Sequence, residues 1–151
     1  MIEKVLVGDI TEELNPRHII IGMNSTLEDV SGIGLPYVHQ LRKSLNQPLV
    51  LGSVLSFRFD RTRNLHMLLC HDIGNGGWAD ADKYVRFGRD YLDHTSEPGE
   101  KFSIVQIGTG PIGLRDGANS VGIMTAMATS FLPVTLFVRD SSDISAQAVD
   151  A

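Results

Sequence analysis

The stretch Phe102-Ser103-Ile104-Val105-Gln106-Ile107-Gly108-Thr109-Gly110-Pro111-Ile112-Gly113-Leu114 decides the fold. A short apolar run, FSIVQI, leads into G-x-G-x-x-G, and an apolar segment from Ala118 to Ser130 follows. A strand that enters a glycine turn and opens onto a helix is a building unit of α/β sheets. The glycines let backbone N–H groups wrap a phosphate without side-chain obstruction, so Gly108 to Gly113 read as a phosphate or pyrophosphate loop. The competing reading is a structural tight turn.

The pattern repeats outward from this stretch. EKVLV, HIIIGM, LGSVLSFRF, LHMLLC and VTLFV are short, β-branched or aromatic, and bounded by Gly, Pro, Asn or Asp, which predicts strands. HIIIGM and FSIVQI are almost continuously apolar, as in strands covered on both faces. In SVLSFRF, Leu55, Phe57 and Phe59 alternate with Ser56 and Arg58, so one face is polar. Three helices lie between. The first begins near Leu35, with Pro36 in its first turn and Val38, Leu41 and Leu45 on one face. The second starts about Asp80, with Tyr84, Val85, Tyr91 and Leu92 on the apolar stripe and Asp82, Lys83, Arg86 and Arg89 facing water. The third, Ala118 to Ser130, is apolar nearly all round and should be well buried. Strands alternating with helices predict an α/β domain with a largely parallel or mixed sheet.

A length of 151 residues predicts one domain, from residue 1 to about 140, and a small polar tail, 141–151, that frays. Chains of about this size bury roughly two-thirds of their unfolded surface, enough for a real core. With 42% apolar and 21% charged residues the composition is that of an ordinary globular protein rather than a disordered one. No apolar run approaches the ~18 residues of a membrane span, and MIEKVLVGD lacks the basic and apolar regions of a secretory signal, so a cytoplasmic protein is expected. The one cysteine, Cys70, rules out an internal disulfide and a cysteine zinc cluster, and it reads as a small core residue. A net charge of −5 argues against a broad grip on nucleic acid.

Parallel sheets bind ligands beyond the carboxyl ends of their strands, which points to two further loops. Val7-Gly8-Asp9-Ile10-Thr11 follows the first strand; Asp9 either caps a turn or accepts a hydrogen bond from a ligand amine. Residues 24–36, NSTLEDVSGIGLP, follow HIIIGM; Ser31, Gly32 and Gly34 allow close backbone approach to an anion, or simply connect. Asn24, at a strand end, offers both a donor and an acceptor to a sugar hydroxyl.

Taken in order, these loops resemble those of the macrodomains, a family of ADP-ribose-binding modules. VLVGDIT resembles the family's opening strand and Gly-Asp-Ile-Thr signature, HIIIGMNSTLEDVSGIGL its Asn and first phosphate loop, QIGTGPIGL its second phosphate loop, and VTLFVRD its last strand. The resemblance runs from about Lys4 to Asp140 and implies a three-layer α/β/α sandwich around a mixed, mostly parallel sheet. It further implies that Asp9 binds the adenine amino group, the Ile10 backbone lines the adenine pocket, and Asn24 meets the distal ribose. Gly32, Ile33 and Gly34 would press on the distal ribose and pyrophosphate, and Gly108, Thr109, Gly110, Pro111, Ile112 and Gly113 would wrap the pyrophosphate. The implied ligand is ADP-ribose, free or on a protein, with no further cofactor. Neither glycine loop holds a basic residue, which suits an anion held by neutral N–H donors. The chain also departs from the family. Ile21-Gly22-Met23-Asn24 stands where many members read Asn-Ala-Ala-Asn. Gly34 stands about where the hydrolytic branch carries an Asp, and His71 and Ile112 where another branch carries a catalytic Lys and Asp.

Hydrolysis of an ADP-ribosyl bond and binding without catalysis therefore both stay open. In the first, Asn24 holds a water and His71 or Asp72, at the end of LHMLLC, supplies a base; the plainer reading is a glycine-rich turn whose His and Asp bond the backbone. The second is a sensor of adenine or NAD-derived nucleotides. A Rossmann-like NAD protein is a third reading, with Asp140 on a ribose, but Asp140 lies farther from Gly113 than the usual ~20 residues. Trp78 reads as a staple on the second helix. Arg58, Arg61 and Arg63 read as a solvated turn. His18, His39, His66 and His94 have no ligand spacing, so no metal is assigned.

Overall fold

The computed structural model describes residues 2–8, 10, 17–27, 34–42, 49–74, 76–97, 99–105, 107, 111–129 and 133–138. Asp9, Gly32, Ile33, Gly108, Thr109, Gly110, Leu45, Asp140 and the tail 141–151 lie outside the described residues.

Six strands form one sheet: β1 (Ile2–Val7), β2 (His18–Asn24), β3 (Val54–Arg58), β4 (Asn64–His71), β5 (Phe102–Val105) and β6 (Val134–Val138). Their spatial order is β1-β6-β5-β2-β4-β3, parallel throughout except for β3, which runs antiparallel to β4. Four helices accompany them: α1 (Leu35–Arg42), α2 (Ala81–Thr95), α3 (Pro111–Arg115) and α4 (Ser120–Ala128).

The alternation of side chains along the strands divides the core in two. Ile20, Leu68, Cys70, Phe102 and Ile104 face α2 and α4, meeting Val85, Leu92, Ile123 and Met127. Ile19, Ile21, Met23, Leu65, Met67 and Leu69 point to the other side, where Val38 of α1 packs. Helices on both faces of a central sheet make the three-layer α/β/α sandwich. Leu55, Phe57 and Phe59 join the α1 side, while Ser56 and Arg58 are exposed, as their alternation predicts. Cys70 is fully buried, and burial pushes its thiol up to about 12.

Helix α2 sits unusually close to β4. An added Cβ on Gly88 would lie only 2.6 Å from Leu68 Cγ, so the helix–sheet spacing depends on that missing side chain. The same close seat corrects the expectation for Arg89. It is 1% exposed rather than water-facing, with its guanidinium 5.9 Å over the Phe102 ring and no hydrogen-bond partner among the described residues. Its phase is the reason: position 89 falls four after Val85 and three before Leu92, on the buried stripe. Tyr91, expected on that stripe, is exposed instead.

Smaller corrections follow the same logic. Arg63 is buried, with Nε donating to Asp60 Oδ2 at 2.8 Å, which holds the Asp60 carboxyl down at about 2. Helix α4 buries Ile123, Ala126 and Met127 but leaves Val121 exposed. The second glycine loop also contains a helix of its own, α3, with Pro111 as its first residue. Among the described residues no helix is long and apolar enough to cross a membrane.

Candidate functional site

Because β1, β6, β5, β2 and β4 are parallel, their carboxyl ends and following loops gather along one edge of the sandwich. Asn24 and His71 are register partners at the ends of β2 and β4. The end of β1 is tied to β6 by the Gly8 N–H donating to the Val138 carbonyl at 3.1 Å. Thus Asn24, His71 and Asp72 come together at one edge.

Asn24 is buried, and its Oδ1 accepts from the Thr26 N–H and the Thr26 hydroxyl, both at 3.1 Å. The Asn24 carboxamide oxygen thus helps to close the turn that follows β2. The same turn carries Ser25, whose N–H donates to the His71 carbonyl at 3.0 Å. Ser25 is buried, and its hydroxyl donates a short hydrogen bond to the Asp72 carboxylate.

His71 and Asp72 do not pair through their side chains. His71 Nδ1 donates to the Asp72 backbone carbonyl at 3.2 Å, while the Asp72 carboxylate turns to Ser25. The imidazole lies flat on Trp78, ring centroids 3.8 Å apart and planes 13° from parallel. Burial lowers the His71 pKa, opposed by the carbonyl contact and by the charges of Asp72 and Asp116, so the neutral ring is favoured. With Nδ1–H donating, Nε2 carries the lone pair.

The turn between His71 and α2 is closed by backbone bonds. Asp72 N–H donates to the Gly77 carbonyl at 3.0 Å and Trp78 N–H to the Asp116 carbonyl at 3.0 Å. The second bond fastens this turn to the segment after α3. Asp116 is buried, and its carboxylate accepts from the exposed Arg115 at 3.1 Å. Sequence reading passed over Ser25 and Asp116. Ser25 directly follows a strand-end Asn, and Asp116 comes shortly after the second glycine loop, so proximity in sequence was the available signal.

Of the remaining sequence candidates, Ile10 has its side chain in the core on the α1 side. Gly34 precedes α1 and faces the core. An added Cβ there would lie 3.0 Å from both Ile21 Cδ1 and Met23 Cε, so its described contacts are with packing rather than with open space. Pro111 and Ile112 open α3, and Gly113 is buried with its carbonyl accepting from the Ala118 N–H at 2.9 Å. Among the described residues no group of three His, Cys, Asp or Glu could hold a metal ion.

No protein-family model and no curated protein matches the chain. Solved structures do. A macrodomain from Oceanobacillus iheyensis with MES bound aligns with 97% of this chain and 88% of its own, at 16% identity and a TM-score of 0.65. A variant of that macrodomain with ADPR aligns with 97% of this chain and 89% of its own, at 17% identity and a TM-score of 0.65. A macrodomain protein from Streptomyces coelicolor aligns with 91% of this chain and 98% of its own, at 15% identity and a TM-score of 0.62. The sheet order and these alignments give this protein a macrodomain-like fold.

Proposed function

We propose that the chain binds ADP-ribose or a close derivative, free or attached to a protein, at the carboxyl edge of its sheet. The observation that carries this reading is the meeting of Asn24, the His71 turn and the segment after α3 at one edge of a macrodomain-like sandwich. A variant of the Oceanobacillus macrodomain solved with ADPR supports the choice of ligand. In this reading Asp9 takes the adenine amino group and the Ile10 backbone lines its pocket. Asn24 meets the distal ribose, and the backbone of residues 32–34 and 108–113 holds the pyrophosphate through its N–H groups. No net positive charge is needed, since oriented N–H donors supply the field.

A hydrolytic version of the same site rests on His71. A neutral imidazole whose Nε2 is the basic nitrogen can take a proton from a water attacking the distal ribose carbon, with the bond to the acceptor group breaking. In this version the Trp78 stack and the Asp72 carbonyl hold the ring.

Calorimetric titration with ADP-ribose, ADP, AMP and NAD tests the binding reading. Micromolar ADP-ribose affinity that drops sharply for AMP is expected; equal affinity for all, or none, overturns it. Turnover of ADP-ribosylated protein that is lost in His71→Ala while ADP-ribose binding survives supports hydrolysis. Unchanged turnover in that variant removes His71 as the base.

A further inference from the structure

At the opposite ends of the same strands a polar chain crosses apolar packing. Ser56 of β3 is the register partner of His66 on β4, and its Oγ lies 2.7 Å from His66 Nδ1. His66 Nε2 is 2.9 Å from His18 Nδ1, and His18 Nε2 is 2.9 Å from Glu100 Oε2. Both imidazoles are buried, whereas Ser56 is exposed on the edge strand.

The carboxylate at one end sets the direction of the whole chain. A carboxylate only accepts, so His18 Nε2 carries a proton. In a neutral His18, Nδ1 then accepts from His66 Nε2–H, and His66 Nδ1 accepts from the Ser56 hydroxyl. The rings are held by Phe102, which stacks on His18 at 4.6 Å and 20° and meets His66 tilted at 6.3 Å. From α2 the charged groups at this end are Arg89, over the far ring Phe102, and Asp93, one turn along. Burial and the neighbouring His18 hold His66 at about 4, so at neutral pH it stands in its proton-accepting form.

We propose that Ser56 is an activated nucleophile, with His66 as its base and His18 and Glu100 as positioning residues, directed at an ester or similarly activated acyl or phosphoryl group at the sheet edge. A hydroxyl bonded to a base, which is oriented by a further group, is the arrangement that nucleophilic catalysis requires. Ser56 Oγ bonds to the electrophilic carbon or phosphorus, and the bond to the leaving oxygen breaks. The hydroxyl proton passes to His66 Nδ1 and then to that leaving oxygen. Arg58 is exposed two residues further along the same side of β3, which favours a substrate carrying negative charge. The weak basicity of His66 makes the step slow, so a strongly electrophilic reagent is the suitable probe.

The test is to treat the full chain with a fluorophosphonate and map adducts by mass spectrometry. Labelling forms the Oγ–P bond, releases fluoride and moves the proton to His66. One adduct per chain, on Ser56 and absent from Ser56→Ala, is the expected result. Glu100→Gln should slow labelling by about tenfold or more, because the anion that orients the pair is gone. The rate should also fall as the pH drops toward about 4, where His66 takes up a proton and can no longer accept one from Ser56. Both substituted positions reach solvent, and thermal midpoints confirm that the variants are folded. No adduct, an adduct elsewhere, or a labelling rate unchanged by Glu100→Gln would overturn the proposal.

Discussion

Strands β2 and β4 each carry polar residues at both ends, and the two ends are built differently. At their amino ends His18 and His66 have all four ring nitrogens engaged, by Ser56, by each other and by Glu100. At their carboxyl ends Asn24, Ser25, His71 and Asp72 use mostly backbone and turn contacts, and His71 Nε2 keeps its lone pair. Between the two ends lie Ile20, Met67, Leu68 and Leu69, all fully buried. A buried apolar middle thus separates the two polar ends, and changes at one should be felt little at the other.

The harshest way to break this separation is through the shared middle. Leu68→Ala removes a side chain packed against Gly88 of α2 and should cost about 2–5 kcal/mol of folding stability, read by denaturant unfolding. It should weaken both ends together. Less severe is His66→Ala, which leaves buried His18 without one partner and should cost about 1–3 kcal/mol. ADP-ribose affinity should stay within about twofold, because the proposed binding edge lies at the opposite end of the strand.

Acid probes the same comparison. His66 sits at about 4 when folded against an ordinary 6.5, so between those values the unfolded chain binds more protons than the folded one. Stability is therefore complete above about 6.5 and falls as the pH drops toward about 4, by an amount on the order of a few kcal/mol. His66→Gln should flatten much of that slope in urea midpoints measured across this range. The smallest effect belongs to Trp78→Leu. Losing the His71 stack should cost about 0.5–1.5 kcal/mol and weaken ADP-ribose binding severalfold, with fluorophosphonate labelling of Ser56 unchanged.

The sheet was legible in the sequence because its strands are short apolar runs with clear stops. The polar face of β3 followed from Ser56 and Arg58 alternating with Leu55 and Phe57. The burial of Arg89 was obscured because its charge argues for water while its helical phase argues for the core, and that of Arg63 because it depends on pairing with Asp60. Helix α3 was hidden by reading Pro111 to Gly113 only as a glycine loop. At the carboxyl edge, Asn24, His71 and Asp72 could be singled out as strand-end polar residues. The Ser25–Asp72 bond could not, since it joins residues 47 apart in sequence and arises only when β2 and β4 pair. The His18–His66 contact was missed for the same reason, as it spans 48 residues.

The most direct measurement is a map of backbone amide shifts by NMR as ADP-ribose is added to the labelled protein. The account predicts saturable changes at Asn24, Ser25, His71, Asp72 and residues 107–113, with His18, Ser56, His66 and Glu100 undisturbed. Changes centred on the amino ends of β2 and β4, or none at millimolar ADP-ribose, would contradict it.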